Sequence, residues 1–72
     1  MACIDPDGTL TVTATVLLEK LSVQPLPEME ISMALRVPLF MLRANLREMG
    51  ELGFIREEEG LYHITEEGQA KV

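Results

Sequence analysis

The sequence predicts a mainly α-helical fold with a small β-hairpin, an α+β domain built on a three-helix core. Three observations carry that expectation. Apolar residues recur at spacings of three and four through 10–21 and again through 28–50. Prolines at 25, 27 and 38 divide these stretches into three helices. Two short runs, one starting at Phe54-Ile55 and one from Leu61 to Ile64, flank Glu58-Glu59-Gly60, which has the chemistry of a hairpin turn.

A chain of 72 residues makes one domain, here 1–72. So short a chain buries a limited share of its surface, and a partner subunit would add stability. Hydrophobic residues make up 47%, which argues for a packed core and against disorder. Phe40, Phe54 and Tyr62 are the aromatic residues, so the core is expected to be aliphatic with Met as filler. The formal charge of -6 opposes sequence-blind attraction to nucleic acid, which needs a positive field. It leaves room for a local basic face, so the placement of the arginines matters more than the sum. The single cysteine, Cys3, has no internal disulfide partner and reads as a small residue in an N-terminal arm. With no signal peptide and no long apolar run, a cytoplasmic protein with no membrane association is expected.

Residues 1–9 hold Pro6 and Gly8 beside two aspartates, which is the chemistry of a bend or arm. A first helix is expected over 10–22, capped by Thr9 or Thr11. Leu10, Ala14, Leu17, Leu18 and Leu21 fall on one face of it, and Val12 and Val16 on the other. That second stripe is either a dimer surface or two ordinary exposed valines. Pro25 and Pro27 end the connector, with Pro27 acceptable in a first helical turn. The second helix, 28–35, has Glu28 and Glu30 at its positive end and Ile31, Ala34 and Leu35 on its expected buried side. Pro38 forces Val37 out of helical geometry and can itself begin the longest helix, 38–50. There Leu39, Leu42, Leu46 and Met49 form one stripe, and Phe40, Arg43, Ala44 and Arg47 the opposite one. Gly50 or Gly53 can take a left-handed cap. The hairpin occupies 54–65, with Tyr62 and Ile64 on its core side, and the polar tail 66–72 begins a helix at most.

This order resembles a winged helix-turn-helix domain of the kind found in MarR-type and ArsR-type transcriptional regulators. The residues that carry the resemblance begin with Ile31-Ser32-Met33-Ala34-Leu35-Arg36-Val37 as first helix and turn. Leu42, Leu46 and Met49 match the inner side of the recognition helix. Leu52-Gly53-Phe54-Ile55 is similar to an "L-G-L-I" exit into the wing, and Tyr62 to Gly68 to a "Y-x-L-T-x-x-G" that closes it. The match spans 10–70. It implies sequence-specific binding of double-stranded DNA in transcriptional regulation, with helix 38–49 in the major groove and the hairpin at the backbone. The DNA-binding residues it implies are Arg36, Pro38, Leu39, Phe40, Met41, Arg43, Ala44 and Arg47, with Arg56 at the base of the wing. Arg43 and Arg47 are four apart and project together, within reach of guanine edges or phosphates. Useful affinity would require a homodimer, for which the Val12/Val16 face is available, or a larger complex.

Two features depart from that family and motivate a rival. Leu39, Phe40 and Met41 make the helix tip apolar, and Glu57-Glu58-Glu59 makes the wing tip acidic. On the rival reading the scaffold is a protein-interaction module, with these apolar residues as anchors in a partner's groove. The alternative to nucleic-acid contact for Arg43 and Arg47 is simple surface pairing with Glu30, Glu48 or Glu51. His63 has no Cys or second His nearby and reads as an outward strand histidine, not a metal ligand. Glu57 to Glu59 read as a solvated turn that deters edge pairing. Met33 and Met49 are expected in the core. No nucleophile is paired with a base and no glycine-rich phosphate loop occurs, so neither an enzyme nor a cofactor or metal is expected.

Overall fold

The computed structural model describes residue 6 and residues 8–72, so the expectation for Cys3 lies outside the described residues. The elements run α1 (Val12–Val23), α2 (Glu28–Leu35), α3 (Leu39–Glu51), β1 (Ile55–Glu58), β2 (Leu61–Ile64) and a one-turn α4 (Glu66–Gln69). Three helices and a two-stranded antiparallel hairpin in this order make a small winged-helix arrangement.

Thr11, the second of the two cap candidates, starts α1: its hydroxyl accepts from the Ala14 amide at 3.2 Å. Ala14, Leu17, Leu18 and Leu21 are buried as their spacing requires, and Leu10 packs against the cluster from outside the helix. Val12 is exposed but Val16 is half-buried, so the second stripe is narrower than expected. Pro27 and Pro38 each stand at an N-cap rather than within the first turn of a helix. Both have extended ψ angles, 158° and 145°, and supply the fixed φ that turns the chain into α2 and α3.

In α2 only Ile31 is buried, with Leu35 packed partly beside it one turn on. Ala34 is exposed, not buried: it lies about 100° round the helix from Leu35, and eight residues offer too narrow a buried side to include it. Met33 is likewise 71% exposed, because two residues beyond Ile31 on a helix is nearly the opposite side. In α3, Leu42, Leu46 and Met49 close the core as expected. Asn45 lies among them, buried, with its polar atoms satisfied.

Gly53, at φ 84°, takes the left-handed position after α3, while Gly50 stays helical. The hairpin pairs Ile55 with Ile64, Arg56 with His63, Glu57 with Tyr62 and Glu58 with Leu61. Glu59 and Gly60 both have positive φ, the signature of a two-residue turn that follows strand twist. Leu26 adds one bridge to the far side of β2, its amide and carbonyl bonding the Tyr62 carbonyl and amide at 3.2 and 2.8 Å. Thr65 then locks the base. Its hydroxyl donates to the Gly53 carbonyl and accepts from the Gly68 amide at 3.1 Å, capping α4.

Candidate nucleic-acid interface

The buried stripe of α3 determines what its other side presents. With Leu42, Leu46 and Met49 inward, Phe40, Arg43, Ala44 and Arg47 are all exposed, Phe40 to 74%. Pro38 is exposed at the helix entrance. Leu39 and Met41 are only half-exposed, and Leu39 packs against the core, so its place among the outward residues is corrected: it serves the inner stripe. Arg36 sits in the turn at φ 57° and ψ 43°, with its amide bonded back to the Ser32 carbonyl. Glycine or asparagine is the common choice there. The Ser32 hydroxyl donates to the Val37 carbonyl at 2.6 Å and closes the turn from inside.

Between α3 and the hairpin lies an open groove of about 440 Å³, which brings together residues expected to be separate contacts. Arg43 and Arg47 line it from the helix, Arg56 and Tyr62 from the strands, and Glu28 from the start of α2. Glu28 holds Arg43: Nε lies 3.3 Å from each carboxylate oxygen and Nη2 lies 2.9 Å from Oε1. The hydrogen bond from Arg43 keeps the Glu28 carboxyl below its usual range and raises the arginine in turn. The sequence offers Glu30, Glu48 and Glu51 as surface partners; the observed partner of Arg43 comes instead from the start of the preceding helix, fifteen residues upstream. Arg56 is held within its own strand by Glu58, Nε to Oε2 at 2.9 Å, and that bond lowers the Glu58 carboxyl. Among the described residues, Arg36 and Arg47 form no ion pair.

The rest of the hairpin is not basic. Glu57 accepts from the Gly60 amide at 2.7 Å and so shapes the turn. His63 lies on the outer face, beside Arg56, with Nε2 4.0 Å from Glu58. Tyr62 borders the groove, and burial, followed by the charges of Glu28 and Glu57, pushes its phenol up from the usual value. Sequence reasoning missed Glu28 and Tyr62 as members of this groove. Glu28 carried a signal only for helix-end electrostatics, and its reach to Arg43 depends on how α2 crosses α3. Among the described residues no three metal-binding side chains gather, and no helix is long and apolar enough to cross a membrane.

Comparisons with protein-family models, with curated proteins and with solved structures found no match to this chain.

Proposed function

We propose that this domain binds double-stranded DNA sequence-specifically in transcriptional regulation, with α3 in the major groove. The observation that supports this reading best is the outer row of α3. Arg43 and Arg47 project one turn apart from a helix whose opposite side is anchored in the core, and the hairpin stands beside them with Arg56. A helix of α3's diameter fits a major groove, and arginine supplies both phosphate and guanine contacts. Arg47 and Arg36, unpaired among the described residues, are the cations most ready to meet phosphate. Contact by all the arginines would give a salt slope no steeper than about -4, so useful affinity calls for a homodimer or a larger assembly. On this reading a second copy would meet the face that carries the exposed Val12 and the half-buried Val16.

A second reading has its own support. Met29, Met33 and Phe40 are large apolar side chains 57%, 71% and 74% exposed, and the wing tip is acidic. That combination suits a protein partner on the same scaffold. Fluorescence anisotropy with a pool of short mixed duplexes, titrated over a salt series, separates the two. On the DNA reading, binding weakens with salt, Arg47→Ala weakens it about equally for all sequences and makes the salt slope shallower by about one. Absence of binding at low salt by the wild-type chain overturns that reading, and Phe40→Ala then becomes the variant to compare in partner capture.

A further inference from the structure

The way Glu28 grips Arg43 leaves a specific part of that side chain available. A guanidinium fork offers two edges for a pair of parallel hydrogen bonds: the side edge of Nε and Nη2, and the end edge of Nη1 and Nη2. Glu28 takes the side edge, through Nε and Nη2. Outside that contact the arginine is open, its side chain 61% exposed on the outward row of α3. The carboxylate also comes from a different helix, so the fork is fixed relative to the body of the domain and not merely to its own backbone. A long side chain ordinarily loses rotamer freedom when it binds; here much of that loss has already been taken on folding. Arg47, one turn along, has no such ion pair among the described residues, so Arg43 is the positioned arginine of the row.

We propose that Arg43 is the specificity-determining residue of this domain, reading one guanine through its end edge, and that Glu28 is a positioning residue that aims it. Guanine is the base that matches, because its O6 and N7 are two acceptors side by side on the major-groove edge, spaced for a bidentate arginine. Adenine presents a donor beside its N7 and leaves one N–H of the fork opposed. Glu28 therefore acts with the arginine and does not compete with the DNA for it. Its negative charge adds repulsion toward phosphate but fixes which edge faces the base. This inference rests on the DNA reading above and adds to it a base and a pair of residues.

The test begins with the full chain selecting from a randomised duplex pool. Affinities for the selected duplex are then compared with those for duplexes carrying 7-deazaguanine, which lacks the N7 acceptor, at each guanine in turn. At one guanine the wild type is expected to lose about tenfold, within the range of a bidentate arginine contact. Arg43→Ala should lose less than about twofold from the same replacement, having already lost the contact. Glu28→Ala should bind the pool with similar overall affinity yet discriminate guanine from 7-deazaguanine several-fold less well than wild type. A melting curve for each variant shows that it is folded, and loss of stability alone does not change that ratio. Wild-type discrimination retained in Glu28→Ala overturns the positioning role, and a 7-deazaguanine effect unchanged in Arg43→Ala overturns the assignment of the reader. If the wild type binds duplex and Arg47→Ala weakens it, either of those failures leaves the DNA reading standing. If the wild type binds no duplex, both fall together.

Discussion

On α3, Leu42, Asn45, Leu46 and Met49 are buried along one side; on the hairpin, only Ile55 is. The helix is held by a buried row of side chains, and the hairpin by one buried side chain together with backbone bonds at both its base and the strand beside its turn. Leu26 bonds Tyr62 through both backbone groups, the Thr65 amide bonds the Phe54 carbonyl at 3.0 Å, and the Thr65 hydroxyl bonds the Gly53 carbonyl. The arginines of the two regions differ in the same sense. Arg43 is tied across elements, by Glu28 of α2, whereas Arg56 is tied to Glu58, two residues along its own strand. The first pair fixes a direction relative to the domain, and the second mainly offsets charge on an exposed ribbon. The two surfaces flanking one groove therefore differ in charge: α3 carries Arg47 without an ion pair among the described residues, and the wing pairs Arg56 with its own Glu58.

The most disruptive change is on the helix side. Leu42 has no exposed surface, and Leu42→Ala is expected to cost about 2–5 kcal/mol. That is a large share of the roughly 4–11 kcal/mol available to a domain of this length. Chemical denaturation should therefore show a global loss, with all elements melting together. The counterpart on the hairpin side is Gly68→Ala. An added Cβ would collide with the Phe54 carbonyl oxygen and come within 2.8 Å of Ile64 Cγ1, displacing α4 from the base of the wing. Overpacking of this kind costs about 1–3 kcal/mol. Amide exchange should rise first in 54–65 and leave α3 protected; equal loss of protection in both regions would erase the distinction drawn here.

The smallest effect distinguishes the two ion pairs by acid titration. Glu28 and Glu58 both have folded-state pKa values lowered from 4.5, in each case first by the arginine's hydrogen bond. Their stabilisation is complete above the unfolded value and fades as the pH falls through the lower folded one. Carboxyl carbon shifts measured by NMR should give both midpoints below the ordinary glutamate range. Arg43→Ala should return Glu28 to that range without moving Glu58, and Arg56→Ala should do the reverse. A midpoint for Glu28 that ignores the loss of Arg43 would mean that the cross-element pair does not persist in solution.

Much of this architecture was legible because helix burial follows a period. The stripe Leu42, Leu46, Met49 and the row Phe40, Arg43, Ala44, Arg47 are both consequences of about 100° per residue. The hairpin was legible through Gly60 and the alternation that puts Tyr62 and Ile64 on one face with Ile55. Short α2 is the least legible element: with one buried residue it has almost no period, so its spacing does not show that Ala34 and Met33 face outward. Asn45 was missed because a polar residue within an apolar stripe shows its burial only once its neighbours are placed. The Glu28–Arg43 pair was invisible for a different reason. Contacts between helices depend on crossing geometry, which no local spacing encodes.

The bridge at Leu26 also ties the wing to the start of α2. Leu26 is bonded through both its amide and its carbonyl to Tyr62 of the wing, and Glu28 stands two residues farther on, at the first turn of α2. Pro27, between them, is a stiff link whose φ is fixed by its ring. Three consecutive residues, Leu26, Pro27 and Glu28, thus join the wing to the carboxylate that holds Arg43, so the hairpin and the outer row of α3 share one connector.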